Sequence, residues 1–134
     1  MNVVDTSAWL EYFAGGANAG RFSTAIKDIK NLLVPTICIY EISKVILRES
    51  DDNHLLQALA ALQKGRIIEL TASISTAAAS NSLKYKLPMA DSIIFTTAKM
   101  FDATVWTQDV DFEGLPNVNY FAKSIAASRN NYPG

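Results

Sequence analysis

Short apolar segments separated by longer, helix-like stretches restrict the fold of this chain more than any other feature of its sequence. Each segment is rich in Val, Ile or Leu and too short for a helix, which is typical of a buried strand. The segments span residues 2–4, 32–34, 66–70, 103–107 and 118–121. Strands that alternate with helices in this way predict a parallel sheet covered by helices on both faces.

The stretches between these segments predict helices with recognisable starts. Thr6 or Ser7 offers an N-cap for the first helix, and Thr36 offers one for a later helix. The predicted helices span residues 6–13, 18–30, 36–49, 51–64, 73–84 and 88–101. We therefore expect a single domain over residues 1–127, followed by a frayed tail over 128–134.

A single cysteine and a single histidine exclude several kinds of site. Cys38 lies between Ile37 and Ile39, which predicts a small buried apolar residue rather than a reactive thiol. His54 follows Asp and Asn residues at a predicted helix start and is expected at the surface. The sequence therefore excludes a Cys/His zinc cluster and an internal disulfide framework, and it disfavours a serine–histidine–acid triad.

Charge and hydropathy limit the partners and the compartment. The net charge is −1, so the chain lacks the basic footprint of proteins that bind nucleic acid tightly and without specificity. An enzyme that meets a phosphodiester through a bound metal is still compatible with this charge. No apolar run approaches the roughly 20 residues of a membrane span, and no signal-like segment is present. We therefore expect a cytoplasmic protein with no membrane partner.

Acidic residues directly follow two of the predicted strands. Asp5 follows the first strand, and Asp109 and Asp111 follow Thr107 at the end of the fourth. The carboxyl ends of strands in an open α/β sheet are where such folds keep their binding sites, so these acids are candidate functional residues. The structural alternatives are that Asp5 only caps its helix and that Asp109 and Asp111 only form a turn.

Glu41 lies on the apolar side of a predicted helix. Ile37 and Val45 lie four residues on either side of it, so the three side chains share one face. An unpaired carboxylate in such surroundings is costly, which favours a functional role. The structural alternative is a salt bridge to Lys44 or Arg48, which follow on the same helix.

Asp91 lies in the first turn of the last predicted helix. Its neighbours on the helix face are Ile94, Phe95 and Ala98, so it lies on the apolar side that must face the sheet. The helix dipole favours an anion in the first turn, which is the structural explanation. An acid that serves only the dipole is normally on the solvent side, however, so the position favours a functional role.

These acids are expected to come together, because the carboxyl ends of parallel strands and the amino ends of the helices that follow share one edge of the sheet. The candidate site residues are Asp5, Glu41, Asp91 and Asp109. A cluster of carboxylates without imidazole or thiolate suits the hard cations Mg²⁺ or Mn²⁺. Such an ion activates water and neutralises charge on a scissile phosphate, which predicts phosphodiester chemistry.

The order and spacing of these motifs resemble those of PIN-domain ribonucleases over nearly the whole chain, from Asn2 to about Phe121. The motifs are Asp5-Thr-Ser, Pro35-Thr36 with Glu41, Asp91-Ser-Ile-Ile and Thr107-x-Asp-x-Asp-Phe112. The length is similar to that of the VapC-like toxins of type II toxin–antitoxin systems. The resemblance implies a three-layer α/β/α sandwich with a central parallel sheet.

The same resemblance implies a site and a function. It assigns catalysis and metal binding to Asp5, Glu41, Asp91 and Asp109, and it places the hydroxyls of Thr6 and Thr107 beside them. Asp111 is either an auxiliary ligand or the cap of the turn before Phe112. The implied activity is Mg²⁺- or Mn²⁺-dependent cleavage of RNA by a homodimeric toxin that a small antitoxin protein inhibits.

The sequence leaves two other functions open. One is a PIN-like module that has lost catalysis and only binds a protein, although such a module has no reason to keep four mutually repulsive acids. The other is a Mg²⁺-dependent phosphatase or phosphotransfer domain. That function requires a second acid close to Asp5 in the sequence and a lysine soon after a late strand, whereas Lys123 lies rather far along.

The high content of apolar residues predicts that another chain covers part of the surface. The hydrophobic fraction is 49%, which is high for so short a protein. The helices over 36–49 and 51–64 are the candidate dimer surface, because apolar residues surround much of the first of them. These residues are Ile39, Ile42, Ile46 and Leu47.

Overall fold

Five parallel strands form one sheet at the centre of the computed structural model, which describes residues 1–124. The strands are β1 (Asn2–Val4), β2 (Leu32–Pro35), β3 (Arg66–Ile68), β4 (Thr104–Thr107) and β5 (Val118–Tyr120). Their order in the sheet is β3-β2-β1-β4-β5, and every neighbouring pair is parallel. The prediction of a parallel sheet is confirmed.

Six helices lie between the strands, as the sequence predicts. They are α1 (Thr6–Ala14), α2 (Ala19–Lys27), α3 (Thr36–Glu49), α4 (Asp52–Leu62), α5 (Ala72–Tyr85) and α6 (Met89–Met100). The connections from β1 to β2 and from β2 to β3 run across the sheet in one direction, and the connection from β3 to β4 returns in the other. Crossover connections between parallel strands are right-handed. Helices in connections that run in opposite directions across the sheet therefore cover opposite faces, which gives the predicted three-layer α/β/α sandwich.

The core is built around the central strand β1 and its two neighbours, β2 and β4. Val3 in β1 pairs with Leu33 in β2 and with Val105 in β4, and all three side chains are buried. Trp9 from α1 and Phe22 from α2 are fully buried as well. Burial of each such side chain contributes about 1.5–3 kcal/mol, so the sheet on which the acids lie is rigidly supported.

The second helix and the third strand are shorter than the sequence predicts. The helix ends at Lys27 rather than at residue 30, because Asp28 accepts hydrogen bonds from the Asn31 side chain and a 3-10 turn over Ile29–Asn31 follows. The strand ends at Ile68 rather than at residue 70. Its partner Pro35 is the last residue of β2, so the chain beyond Ile68 has no strand to pair with.

Several smaller expectations can be compared with the structure. Thr36 is not a cap: Pro35 is the N-cap of α3, and Thr36 is the first helical residue. Cys38 is fully buried and His54 is partly exposed, both as predicted. Within residues 1–124, no helix has the length and hydropathy to cross a membrane. The predicted domain end at residue 127 and the tail over 128–134 lie outside the described residues and stay predictions.

Candidate active site

The carboxyl ends of β1 and β4 meet at the point where the strand order reverses. Val4 pairs with Trp106 at the end of this pair of strands, and the Asp5 amide donates to the Trp106 carbonyl at 3.0 Å. In open α/β sheets, the crevice at such a switch point is where ligands bind. The topology therefore brings the acid that follows β1 and the acids that follow β4 to one place.

Asp5 is both a helix cap and a buried member of this cluster. It is the N-cap of α1, and its Oδ1 accepts from the Ala8 amide at 3.1 Å and from the Ser7 hydroxyl at 2.8 Å. The expectation that Thr6 or Ser7 would cap the helix is wrong, because Asp5 already has the extended backbone and the acceptor that a cap needs. The two roles that the sequence left open for Asp5 are thus compatible.

Burial raises the pKa of Asp5 from its ordinary 3.8 to about 7. The hydrogen bonds from Ser7, Ala8 and Thr107 lower it and offset part of this shift, whereas the nearby charge of Asp109 raises it further. A carboxyl group with such a pKa gains from any positive charge that enters the site, because a cation favours its ionised form.

Asp91 has the stronger shift although it is only half-buried. Its pKa rises from 3.8 to about 8, first because of burial and then because of the charges of Asp109, Asp5 and Asp111. A helix dipole lowers the pKa of an acid in the first turn, so the dipole does not dominate here. The residues that follow Asp91 on α6, from 92 to 98, are all buried, so this part of the helix is enclosed on every side.

Asp109 and Asp111 complete a tight group with Asp91. One carboxylate oxygen from each of the three lies within 4.8 Å of the others. Asp109 caps a 3-10 turn over Val110–Phe112 by accepting from the Asp111 amide at 3.0 Å. Its own amide donates to the Thr107 hydroxyl at 2.9 Å. Asp111 does not cap this turn, because Asp109 does; Asp111 lies inside the turn with its carboxylate in the three-acid group, and its role as an auxiliary ligand stays a prediction.

Glu41 is held by a hydroxyl rather than by a cation. Thr6 donates to its Oε1 at 2.6 Å. In the described part of the chain, neither candidate cation pairs with it: Lys44 lies over the Tyr40 ring, and Arg48 pairs with Glu49. The salt bridge considered as the structural alternative is therefore absent there.

Glu41 is not part of the three-acid group, but it lies on the same side of the molecule. Burial raises the pKa of the Cys38 thiol, and the charges of Asp5, Glu41 and Asp91 raise it further. All three acids therefore lie near this buried thiol. The structure thus gathers Asp91, Asp109 and Asp111 closely, with Asp5 beside them and Glu41 approaching through Thr6.

Ser7 belongs to the site, although sequence reasoning assigned it only a capping role. Its hydroxyl donates to Asp5, accepts from the Gln108 amide at 3.3 Å and lies 3.5 Å from the Thr107 hydroxyl. It thus ties the end of β1 to the end of β4. The only signal in the sequence was a polar residue next to the buried start of α1.

The donor set fits a hard divalent cation. Mg²⁺ binds oxygen at about 2.1 Å, so two ligands on opposite sides of one ion are about 4.2 Å apart. The oxygens of Asp91, Asp109 and Asp111 are within 4.8 Å of one another, so one ion needs only a small closing movement to contact them. A cation also favours the ionised forms of Asp5 and Asp91, whose pKa values are raised first by burial and then by the charges of neighbouring acids.

The family model described as "PIN domain" matches residues 3–117 of the chain. No curated protein sequence matches. Residues 3–117 contain every candidate acid of the site, three of the strands completely and all of β1 but its first residue. The match therefore covers the elements that position the acids.

Several solved structures share the fold. A toxin–antitoxin complex from Klebsiella pneumoniae superposes with a TM-score of 0.78 at 21% identity, covering 92% of this chain and 100% of that chain. Mycobacterium tuberculosis VapC20, described as a sarcin–ricin loop cleaving toxin, gives 0.73 at 17% identity, with coverages of 88% and 97%. Rickettsia felis VapBC2, bound to a DNA fragment from its promoter, gives 0.68 at 15% identity, with coverages of 90% and 97%. These matches extend over nearly the full length of both chains, so the fold is the same.

Proposed function

The chain belongs to the PIN-domain family, and from that premise we propose that it is a divalent-metal-dependent endoribonuclease and the toxin of a toxin–antitoxin pair. One observation carries the proposal: carboxylate oxygens of Asp91, Asp109 and Asp111 lie within 4.8 Å of one another, with Asp5 beside them after β1. Burial first, and then neighbouring charge, raises the pKa of Asp5 to about 7 and that of Asp91 to about 8. Such crowding opposes stability unless a cation binds, and it is typical of a functional site.

We assign metal binding to Asp5, Glu41, Asp91 and Asp109, with Asp111 as an auxiliary ligand. Mg²⁺ or Mn²⁺, when bound, supplies a water of lowered pKa and positive charge against the scissile phosphate. The chain itself supplies the orientation of these acids. Its own hydroxyl groups hold three of them: Thr6 holds Glu41, Ser7 holds Asp5, and Thr107 holds the backbone of Asp109.

The proposed substrate is RNA. A net charge of −1 does not favour binding of nucleic acid through a basic surface. The acids therefore need the metal not only for chemistry but also to admit a phosphodiester, because carboxylates without a cation repel it. The description of VapC20 as a toxin that cleaves the sarcin–ricin loop supports a structured RNA as the first substrate to test.

The proposed partners are a second copy of the chain and a cognate antitoxin, in the cytoplasm. Two structural neighbours are described as a toxin–antitoxin complex and as VapBC2, which supports the antitoxin. The dimer proposal rests on exposed apolar side chains of α3 and α4: Tyr40 is 61% exposed, Leu47 54% and Leu56 65%. Ile42 and Ile46, by contrast, face the core and cannot contribute to a dimer surface.

The test is an assay of the purified full chain on a structured RNA, with Mn²⁺ and with EDTA. We expect cleavage in Mn²⁺ and none in EDTA. Hydrolysis of a phosphate monoester such as p-nitrophenyl phosphate, without RNA cleavage, favours the phosphatase alternative. Retention of an antitoxin without any hydrolysis in Mn²⁺ favours the inactive binding module.

A further inference from the structure

Three polar side chains outside the acidic cluster are buried together. Glu11, Asn18 and Gln108 are each only 7% exposed, although none of them packs as an apolar residue would. Hydrogen bonds connect the three residues. The Asn18 backbone N–H donates to Glu11 Oε2 at 2.9 Å, and the side-chain Nδ2 of Asn18 donates to Gln108 Oε1 at 3.0 Å. Buried polar groups are tolerated only when they are paired, so this arrangement depends on each of its members.

Asn18 does not serve the local role that its position offers. It is the N-cap residue of α2, where an asparagine normally accepts a hydrogen bond from the helix amides. Its side chain makes no such bond, however. Nδ2 reaches instead to Gln108, 90 residues away in the sequence, and to the carbonyl of Ala122 at 3.1 Å. The Asn18 side chain therefore bonds to distant parts of the chain and does not cap its own helix.

Gln108 lies between Thr107 and Asp109, so the contacts that fix Gln108 also fix the backbone next to Asp109. Its amide donates to the Ser7 hydroxyl at 3.3 Å, while its side chain accepts from Asn18. The backbone before Asp109 is thus fixed on one side by α1 and on the other by the start of α2. The Asp109 carboxylate lies in the three-acid group only if this backbone keeps its place.

We propose that Asn18 is a positioning residue of the metal site, which acts through Gln108 to hold the segment that carries Asp109. The proposal rests on the function proposed above, because it assigns Asn18 a role in binding the metal of that site. Removal of a residue that orients a metal ligand typically weakens metal binding by 10- to 100-fold. A residue that served only the fold would change stability and leave the affinity of the folded protein unchanged.

The test is Mn²⁺ binding to the full chain, measured by calorimetry without RNA. We compare wild type with Asn18→Ala, Gln108→Met and the double variant. We expect each single variant to bind Mn²⁺ about tenfold more weakly. The double variant should be no weaker than Asn18→Ala within twofold, because both substitutions remove the same hydrogen bond.

Asn81→Ala is the matched control. The Asn81 side chain also donates a partly buried hydrogen bond, at 2.9 Å to Thr96, which joins α5 to α6 more than one helical turn beyond Asp91. The Mn²⁺ affinity of the Asn81→Ala variant should stay within twofold of that of the wild type. If Asn18→Ala does not fold, Gln108→Met alone decides, because it removes the same bond and leaves the bond from Asn18 to Ala122.

Two outcomes overturn the role of Asn18: an affinity of Gln108→Met within twofold of wild type, or losses in the double variant that are the product of the single losses. Neither depends on RNA cleavage. A wild-type protein that binds Mn²⁺ but cleaves no RNA contradicts the proposed ribonuclease and leaves the Mn²⁺ comparison valid.

Discussion

Thr6 donates its hydroxyl to Glu41 Oε1 at 2.6 Å, across a separation of 35 residues. The bond joins the first residue of α1 to the middle of α3, and it stands where a salt bridge to Lys44 or Arg48 would otherwise be expected. A hydroxyl orients a carboxylate without neutralising it. Glu41 is therefore oriented by a neutral donor rather than paired with a cation from its own helix.

Thr6→Val should impair cleavage more than stability. Valine keeps the branched shape of threonine but cannot donate, so Glu41 loses the group that orients it. We expect a loss of activity of about tenfold, as for other residues that orient metal ligands. Thr76→Val is the control, since its hydroxyl donates only to the Ala72 carbonyl of its own helix. Activity of Thr6→Val equal to that of the control would argue against a role for Glu41.

Asp5→Asn and Asp91→Asn should each abolish RNA cleavage while the protein still folds. Asparagine is as good an N-cap as aspartate, so α1 keeps its start in the first variant. We expect rates to fall by more than about 100-fold, because each change removes an anionic ligand rather than a group that orients one. Circular dichroism checks the fold. Asp52→Asn is the control, because Asp52 is an exposed acid in the first turn of α4. Near wild-type cleavage by either site variant in saturating Mn²⁺ contradicts the assignment.

In EDTA, the stability of the protein should fall as the pH rises from about 4 to about 8. The pKa values of Asp5 and Asp91 are raised from 3.8 to about 7 and about 8, so the folded state binds more protons than the unfolded state across this range. Their protonation therefore stabilises the fold at low pH, and this contribution is lost as the pH rises through the folded values. Thermal unfolding in EDTA at pH 5.5 and at pH 7.5 measures this loss of stability.

The same experiment on Asp91→Asn separates a site acid from a structural cap. Asparagine is neutral without taking up a proton on folding, whereas Asp91 must bind one or bear the cost of a buried charge near other acids. At pH 7.5 in EDTA we therefore expect the melting temperature to rise by about 4 °C, equivalent to roughly 1 kcal/mol. Mn²⁺ should stabilise wild type by binding only the folded cluster, and it should stabilise the variant less. A variant that is destabilised in EDTA at both pH values and fully stabilised by Mn²⁺ identifies Asp91 as a cap of α6.

The chain should be a dimer by light scattering at micromolar concentration. Leu47→Glu on α3 should shift it to monomer, because it places a charge in the proposed apolar interface. Leu83→Glu is the control: Leu83 is 85% exposed, but it lies on α5, outside the proposed surface. A wild-type monomer, or a dimer that Leu83→Glu disrupts and Leu47→Glu does not, contradicts the proposed surface.

The sheet could be predicted because its signals are local. Val3, Leu33 and Val105 lie in short apolar runs bounded by polar residues, and such runs between helices have few arrangements other than a parallel sheet. That Asp5 comes close to the acids after β4 could be predicted for the same reason. Asp5 directly follows β1, Asp109 follows the end of β4 by two residues, and strand ends in one sheet share an edge.

The contacts that orient the acids could not be predicted, because they join residues far apart in the chain. Nothing near Thr6 in the sequence indicates Glu41, and nothing near Asn18 indicates Gln108. Local patterns also suggest the wrong partner where a better one comes from elsewhere. Lys44 is the nearer candidate for Glu41 in the sequence, whereas the partner that the structure shows is Thr6, 35 residues away.

The position of β1 between β2 and β4 limits when the acidic cluster can assemble during synthesis on the ribosome. Strand β1 pairs on one side with a strand whose residues come about a hundred positions later, as the contact between Ser7 and Thr107 shows. Until β4 has left the exit tunnel, Asp5 has neither Asp109 nor Asp111 beside it. A nascent chain that exposes β1 but not yet β4 therefore carries Asp5 but no assembled cluster.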